Sequence, residues 1–191
     1  MKYGKSFLRN ASLLKRKKKH LSVKKLNFNS IFRLIKKHFN KKKITIAGYY
    51  PSSHEVNILR FLENASKSRF KILLPVIKTS NQMSFKQWNF NEPLYVNKFG
   101  ILEPKNSNKE FTPDLIMVPL VAFDNNLNRI GYGKGYYDRS LRKINKIKKN
   151  VISLGIAYSF QKCRSIPVNK YDHKLDYIFT ERGIISQNKT L

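Results

Sequence analysis

Between Arg129 and Arg139 the chain sets three glycines, a lysine, two adjacent tyrosines and an aspartate within eleven residues. Gly131, Gly133 and Gly135 alternate around Tyr132 and Lys134, so the backbone can turn through conformations closed to other residues and bring its N–H groups to an anion. Lys134 adds a positive charge at the centre. Tyr136, Tyr137 and Asp138 lead into a segment where Leu141, Ile144 and Ile147 recur at helical spacing. The loop therefore opens a helix, and the amides of a helix N-terminus also favour phosphate. Alternating glycines equally describe an ordinary turn ahead of a helix, so the run reads as a phosphate cradle or as a turn.

Carboxylates are scarce, 11 in all, and the first is Glu55. Asp138 suits Mg²⁺, a hard cation that takes carboxylate, water and phosphate oxygens together; it also suits a first-turn acid held by the helix dipole. Asp172 and Asp176 precede the last predicted strand. One of them could complete a metal site, and Asp176 is the better fit to a strand-entry turn. Glu55 follows a Pro-Ser-Ser-His loop, where it can accept hydrogen bonds from a ligand's N–H groups or serve as the acid of a helix start capped by Ser52 or Ser53. Glu103 reads as a turn residue.

No covalent nucleophile stands out. The histidines at 20, 38, 54 and 173 have no spacing that places two ligands on one face, so no catalytic zinc is indicated. There is no Gly-x-Ser-x-Gly elbow, and Cys163 has neither a nearby histidine nor a helix start to activate it. The chemistry must then lie in positioning and charge stabilisation. Phosphoryl transfer is of that kind.

Positioning requires a scaffold, and 191 residues with 41% hydrophobic and 13% aromatic content make one folded domain spanning residues 1–191. Lys and Arg number 39, for a net charge of +28. Such a surface attracts nucleic acid, but lysines that travel with Asn, Ile and Phe are also what an AT-biased coding sequence produces. One cysteine excludes an intramolecular disulfide and suits a reducing compartment. The basic start has no apolar run long enough for a signal peptide or a membrane span, which points to the cytoplasm; a mitochondrial-type leader over Met1–Lys25 is the lesser reading, since Lys rather than Arg dominates.

The predicted elements alternate. A helix runs from Tyr3 to about Leu26, and a second, capped by Asn29 or Ser30, carries Ile31, Leu34, Ile35 and His38 to a stop at 40–43. A strand over Ile44–Tyr50 breaks at Pro51 before a helix containing Val56, Leu59, Phe61 and Leu62. Lys71–Ile77 is a buried strand. An irregular stretch follows, with a strand at Met83–Trp88 and breaks at Pro93, Gly100 and Pro104. Leu115–Val118, Val151–Ala157 and Leu175–Thr180 complete the strands. This order implies an α/β three-layer sandwich, a central, largely parallel sheet with helices on both faces, and places chemistry in the loops after Tyr50, Val118 and Ala157.

The run from Asp114 to Asp124, followed by Arg129 to Arg139, resembles the signature of the 5-formyltetrahydrofolate cyclo-ligase (methenyltetrahydrofolate synthetase) family. Lys5, Ser6, Phe7, Leu8 and Arg9 are similar to the family's N-terminal Lys-x-x-Leu-Arg. Glu55 after a strand, Gly100–Pro104, Gly155–Gln161 and Asp172–Thr180 extend the match over nearly the whole chain. The resemblance implies an ATP- and Mg²⁺-dependent conversion of 5-formyltetrahydrofolate to 5,10-methenyltetrahydrofolate by a monomer, with ADP and phosphate released. It implies that the stretch from Lys5 to Arg9 binds ATP, with Lys5 and Arg9 on its phosphates, and that Arg129, Ile130, Gly131, Tyr132, Gly133, Lys134, Gly135, Tyr136 and Tyr137 wrap the nucleotide. Lys134 would lie nearest the transferred phosphoryl group, and Asp138 and Asp172 would hold Mg²⁺. Tyr50, Glu55, Met83, Phe85, Phe99 and Tyr136 would line the folate pocket, Tyr136 closing over the formyl group. Leu120 stands where glycine is common, Leu102 replaces a proline, and Tyr171 occupies the place of a frequent histidine. The basic run Lys15–Lys19 exceeds what ATP binding needs and reads as solvated. The rival reading is a nucleic-acid-binding module on a degenerate form of this fold. The absence of aromatic-basic interleaving weighs against it and leaves nonspecific association at most.

Overall fold

The computed structural model describes residues 4–23, 26–40, 43–78, 82–105 and 107–187. Helix α1 spans Lys5–Lys19 and continues into a 3₁₀ turn at His20–Ser22; the expected start at Tyr3 lies outside the described residues. Helix α2 is Asn29–Phe39, strand β1 Thr45–Ala47, helix α3 Leu59–Lys67, and strand β2 Lys71–Ile77. Then come β3 (Met83–Gln87), β4 (Tyr95–Val96), β5 (Leu102–Glu103), β6 (Leu115–Pro119), β7 (Ala122–Phe123) and β8 (Arg129–Ile130). Helix α4 is Tyr136–Ile147, followed by β9 (Ile152–Ile156), β10 (Tyr177–Thr180) and β11 (Gly183–Ile185).

Seven strands form one sheet in the order β11-β10-β9-β6-β1-β2-β3. The five central strands are parallel, and β3 and β11 add antiparallel edges. Two apolar layers cover the faces. On one, Ile31, Leu34 and Ile35 of α2 and Phe61, Leu62 and Ala65 of α3 meet Ile46, Ile72 and Leu115. On the other, Leu141 and Ile144 of α4 meet Ala47, Leu73, Ile116 and Val118. Such alternation of strand faces with helical stripes is why the sandwich was readable from periodicity. No helix among the described residues is long and apolar enough to cross a membrane.

Helix α1 does something different. It lies across the small β7–β8 hairpin, where Leu8 and Leu13 pack against Val121, Ala122, Ile130 and Ile166. The buried Asp124 ties that hairpin, its carboxylate accepting the N–H groups of Asn126 (2.9 Å), Asn128 (3.0 Å) and Ile166 (3.1 Å). The hairpin thus carries α1 past the carboxyl ends of β6 and β1, where parallel sheets bind ligands.

Two local expectations change. Val56 precedes helix α3, which begins at Leu59 with no acid in its first turn, so Glu55 is not a helix-start acid. Asp176 is the strand-entry residue expected: its Oδ2 accepts the N–H (2.8 Å) and hydroxyl (2.7 Å) of Ser153 and locks β10 to β9.

Candidate active site

The carboxyl ends of the central strands open into a cavity of about 910 Å³. One wall is the glycine loop. Gly133 and Gly135 have φ of 97° and 67°, left-handed values that favour glycine. A Cβ on Gly133 would come within 3.3 Å of the Arg9 guanidinium carbon, so the loop also needs the missing side chain to let Arg9 lie against it. Arg9 Nε donates to the Gly131 carbonyl at 2.8 Å. Helix α4 starts at Tyr136, directly after the loop, and aims its N-terminal amides at the same space.

Behind the loop, Arg129 is buried and committed. Its guanidinium donates to the Asp138 carboxylate (2.7 Å) and the His173 carbonyl (2.6 Å), and the His173 N–H adds a second bond to Asp138 at 3.0 Å. Burial holds the Arg129 pKa below its ordinary value despite the Asp138 charge, and burial beside Arg129 lowers that of His173. Asp172 pairs with Lys5 of α1 and accepts the Asn169 N–H at 2.7 Å. Lys5, Arg9, Lys134, Asp138 and Asp172, drawn from both ends of the chain, therefore line one cavity.

The opposite wall is built around Glu55. Its Oε2 accepts the Ser52 N–H at 2.9 Å, and its Oε1 accepts the Tyr132 hydroxyl at 2.7 Å. Burial raises the Glu55 pKa, and the hydrogen bonds from Tyr132 and Ser52 work against that rise. The Tyr137 hydroxyl is buried beneath this wall with no hydrogen-bond partner among the described residues, and burial together with the Glu55 charge pushes its pKa up. The β4–β5 hairpin forms a rim over the opening, with Phe99 edge-on to Tyr136 at 6.4 Å between ring centroids. Glu103 supports that hairpin by accepting from Asn97 Nδ2 at 2.9 Å and from the Ile77 N–H at 3.2 Å.

Most of the residues singled out from sequence meet here, including Tyr50, Glu55, Met83, Phe99 and Arg129 through Asp138. Four do not. Ser6 and Phe7 point outward, and Leu8 packs into the α1–hairpin core, because only one face of a helix can turn to the cavity and Lys5 and Arg9, one turn apart, occupy it. Phe85 lies in the core under α4. Leu120 also turns inward: an added Cβ on Gly155 would meet its Cδ2 at 2.8 Å, so the bulk filling the usual glycine's place enters the core rather than the cavity. The fold brings the His20 and His54 rings to 4.4 Å, yet no group of three His, Cys, Asp or Glu side chains that could hold a metal forms among the described residues. Burial pushes the Cys163 thiol up, in keeping with an inert cysteine.

Sequence reasoning missed Arg16. It stands in a run of lysines, and only its i+7 relation to Arg9 could have marked it as facing the same way. It is 1% exposed.

A three-layer α/β sheet with a glycine–lysine loop, a helix N-terminus and two carboxylates at its carboxyl edge is an arrangement suited to an anionic, phosphorylated ligand. Comparison makes this specific. The chain belongs to the 5-formyltetrahydrofolate cyclo-ligase family, whose model matches residues 1–181. It is 32% identical over 181 residues to the 5-formyltetrahydrofolate cyclo-ligase of Mycoplasma genitalium, covering 91% of this chain and 96% of that protein. Identity to the Haemophilus influenzae enzyme of the same name is 32% over 133 residues, with 66% of this chain and 70% of the relative covered. The Aquifex aeolicus 5,10-methenyltetrahydrofolate synthetase structure superposes with a TM-score of 0.72 at 29% identity, over 98% of this chain and 94% of that one. The nucleic-acid reading finds no support in these relatives.

Proposed function

We propose that this chain cyclises 5-formyltetrahydrofolate to 5,10-methenyltetrahydrofolate at the expense of ATP, releasing ADP and phosphate. The observation that carries the reading is a single cavity with a cationic, glycine-rich wall facing a carboxylate-and-tyrosine wall. The first suits a triphosphate and the second a polar heterocycle with N–H donors. Family membership supports reading those two ligands as ATP and the folate.

In this reading Lys5, Arg9 and the loop amides grip the phosphates, and Lys134 stabilises the γ-phosphoryl group as the formyl oxygen attacks it. ADP leaves. The folate N10 then attacks the activated formyl carbon, closing the ring as phosphate departs. Tyr136 covers the reacting carbon, and Tyr50, Glu55, Met83 and Phe99 hold the folate. Bringing the formyl oxygen and the phosphorus into line can lower the barrier by about 7–11 kcal/mol without any protein nucleophile.

Mg²⁺ fits the carboxylates present. Asp138 Oδ1 and Asp172 Oδ2 are engaged by Arg129, Lys5 and backbone N–H groups, which orient both carboxylates on one cavity and leave the second oxygen of each without a hydrogen bond among the described residues. Two hard oxygens are too few for a resident ion and suffice for one that arrives with phosphate oxygens; such an ion neutralises charge on the triphosphate. We place the enzyme in the cytoplasm as a monomer.

The test is turnover by purified protein. Methenyl product, followed by its absorbance, should appear only with ATP present, and Lys134→Ala should lower kcat by roughly 10²–10³-fold. Absence of product from the wild-type protein, or full activity in Lys134→Ala, would sink the reading.

A further inference from the structure

The wall around Glu55 depends on a side chain that does not line the cavity. Arg16, in α1, reaches across three separate segments. Its Nη2 donates to the Ser53 carbonyl at 2.9 Å and to the Tyr132 hydroxyl at 2.6 Å, and its Nη1 donates to the Leu120 carbonyl at 3.3 Å. Those acceptors belong to the loop after β1, the turn after β6 and the glycine loop. Its Nε is buried without a partner among the described residues. Arginine is rarely buried, and an apolar side chain of similar length would fill the space without leaving a donor unsatisfied.

The direction of the hydrogen bonds supplies a reason for the arginine. A guanidinium has donors only. The Tyr132 hydroxyl must accept from Arg16, so its single proton is left for Glu55 Oε1, 2.7 Å away. Ser53 and His54 both have left-handed φ, 45° and 65°, an uncommon conformation for two successive non-glycine residues. Such backbone persists where its surroundings over-determine it, and Arg16 holds the first of the two carbonyls.

We propose that Arg16 is a positioning residue: it orients Tyr132 as a donor to Glu55 and clamps the Ser52–Glu55 loop, so that the Glu55 carboxylate is presented to the cavity as an acceptor. This rests on the reading of that wall as the folate side. Burial alone would favour the protonated acid; the Tyr132 and Ser52 hydrogen bonds and the Arg16 charge oppose it. The other groups facing Glu55 are tyrosines: Tyr49 from the end of β1, Tyr137 from α4 and Tyr158 from the loop after β9, whose hydroxyl lies 3.5 Å from the Glu55 carbonyl. The ring of neighbouring His54 lies tilted against that of His20. Arg9 and Lys134 belong to the phosphate wall of the same cavity.

The test compares wild type, Arg16→Met and Tyr132→Phe. First, the Glu55 carboxyl is titrated by ¹³C NMR in the unliganded protein, its signal assigned by its loss in Glu55→Gln. Second, KM is measured separately for 5-formyltetrahydrofolate and ATP. Both variants should move the Glu55 midpoint to higher pH and raise the folate KM roughly tenfold or more; in Arg16→Met, whose residue does not line the cavity, the ATP KM should change by less than about threefold. An unmoved midpoint, or a parallel rise in both KM values in Arg16→Met, would overturn the proposal in favour of a merely structural arginine. Should Arg16→Met fail to fold, Arg16→Gln, which keeps a hydrogen-bonding side chain and removes the charge, takes its place under the same two readouts. A wild-type protein without turnover would remove the proposed function, while the NMR midpoints would still judge Arg16.

Discussion

Glu55 and Asp138 had two readings each as sequence, and their neighbours separate them. Glu55 sits four residues ahead of α3 and spends its oxygens on Ser52 and Tyr132 rather than on a helix N-terminus. Asp138 does lie in the first turn of α4, but its Oδ1 bonds to Arg129 and the His173 N–H. Ser52 and Arg129 are near in the chain, but Tyr132 and His173 come from segments 77 and 35 residues away, and no sequence signal marks those meetings. The Glu55 environment sets a pH expectation. Burial raises its pKa, so on lowering the pH the ionised form is lost earlier than for an ordinary carboxylate. Folate kcat/KM should therefore fall on the acid side at an unusually high pH for a glutamate. Glu55→Gln keeps the size and removes the titration; we expect kcat/KM for the folate to drop roughly 10²-fold and the acid limb to flatten. A Glu55→Gln profile with the wild-type acid limb would assign that limb to another group.

The glycine loop and the short hairpins act as elements rather than as single residues. Helices α2 and α4 could be read from periodicity, since each buries one face, and the long central strands from continuous apolar runs, since the sheet is covered on both faces. Strands β4, β5, β7 and β8 are two residues each, too short to show any period, and they became visible only when paired. They matter to the site: one hairpin carries Phe99 over the cavity, and the other carries α1 to it. Gly133 lies within the loop, two residues ahead of the helix N-cap Gly135. Alanine there meets a φ of 97° and a guanidinium at 3.3 Å. Gly133→Ala should cost about 1–2 kcal/mol of stability from the left-handed backbone and push Arg9 off the loop. Thermal unfolding should record the first effect. The second should appear as a raised KM for ATP with the folate KM little changed; equal changes in both would place the loop's role elsewhere.

At the scale of the whole molecule the dominant fact is a net charge of +28. Such a surface binds polyanions without selecting among them. RNA and heparin should bind comparably, the affinity falling steeply with added salt through counterion release, and Lys134→Ala should leave it unchanged. Filter binding across a salt series checks this. RNA binding that resists salt, exceeds heparin binding and depends on Lys134 would revive a nucleic-acid role for the cavity.

The sequence by itself determined the α/β order and the family, because local periodicity and contiguous motifs encode them, and it marked the glycine loop as a candidate phosphate cradle. Its motif match picked out Lys5 and Arg9 and passed over Arg16. Lys5 and Arg16 lie in one basic helix with their neighbours, and composition treats them alike. Tertiary packing chose them: α1 crosses the β7–β8 hairpin at one angle, which turns Lys5, Arg9 and Arg16 inward and leaves Ser6 and Phe7 in solvent. A charge gains its role from the partners that surround it, and those partners lie over a hundred residues away, at Leu120, Gly131, Tyr132 and Asp172.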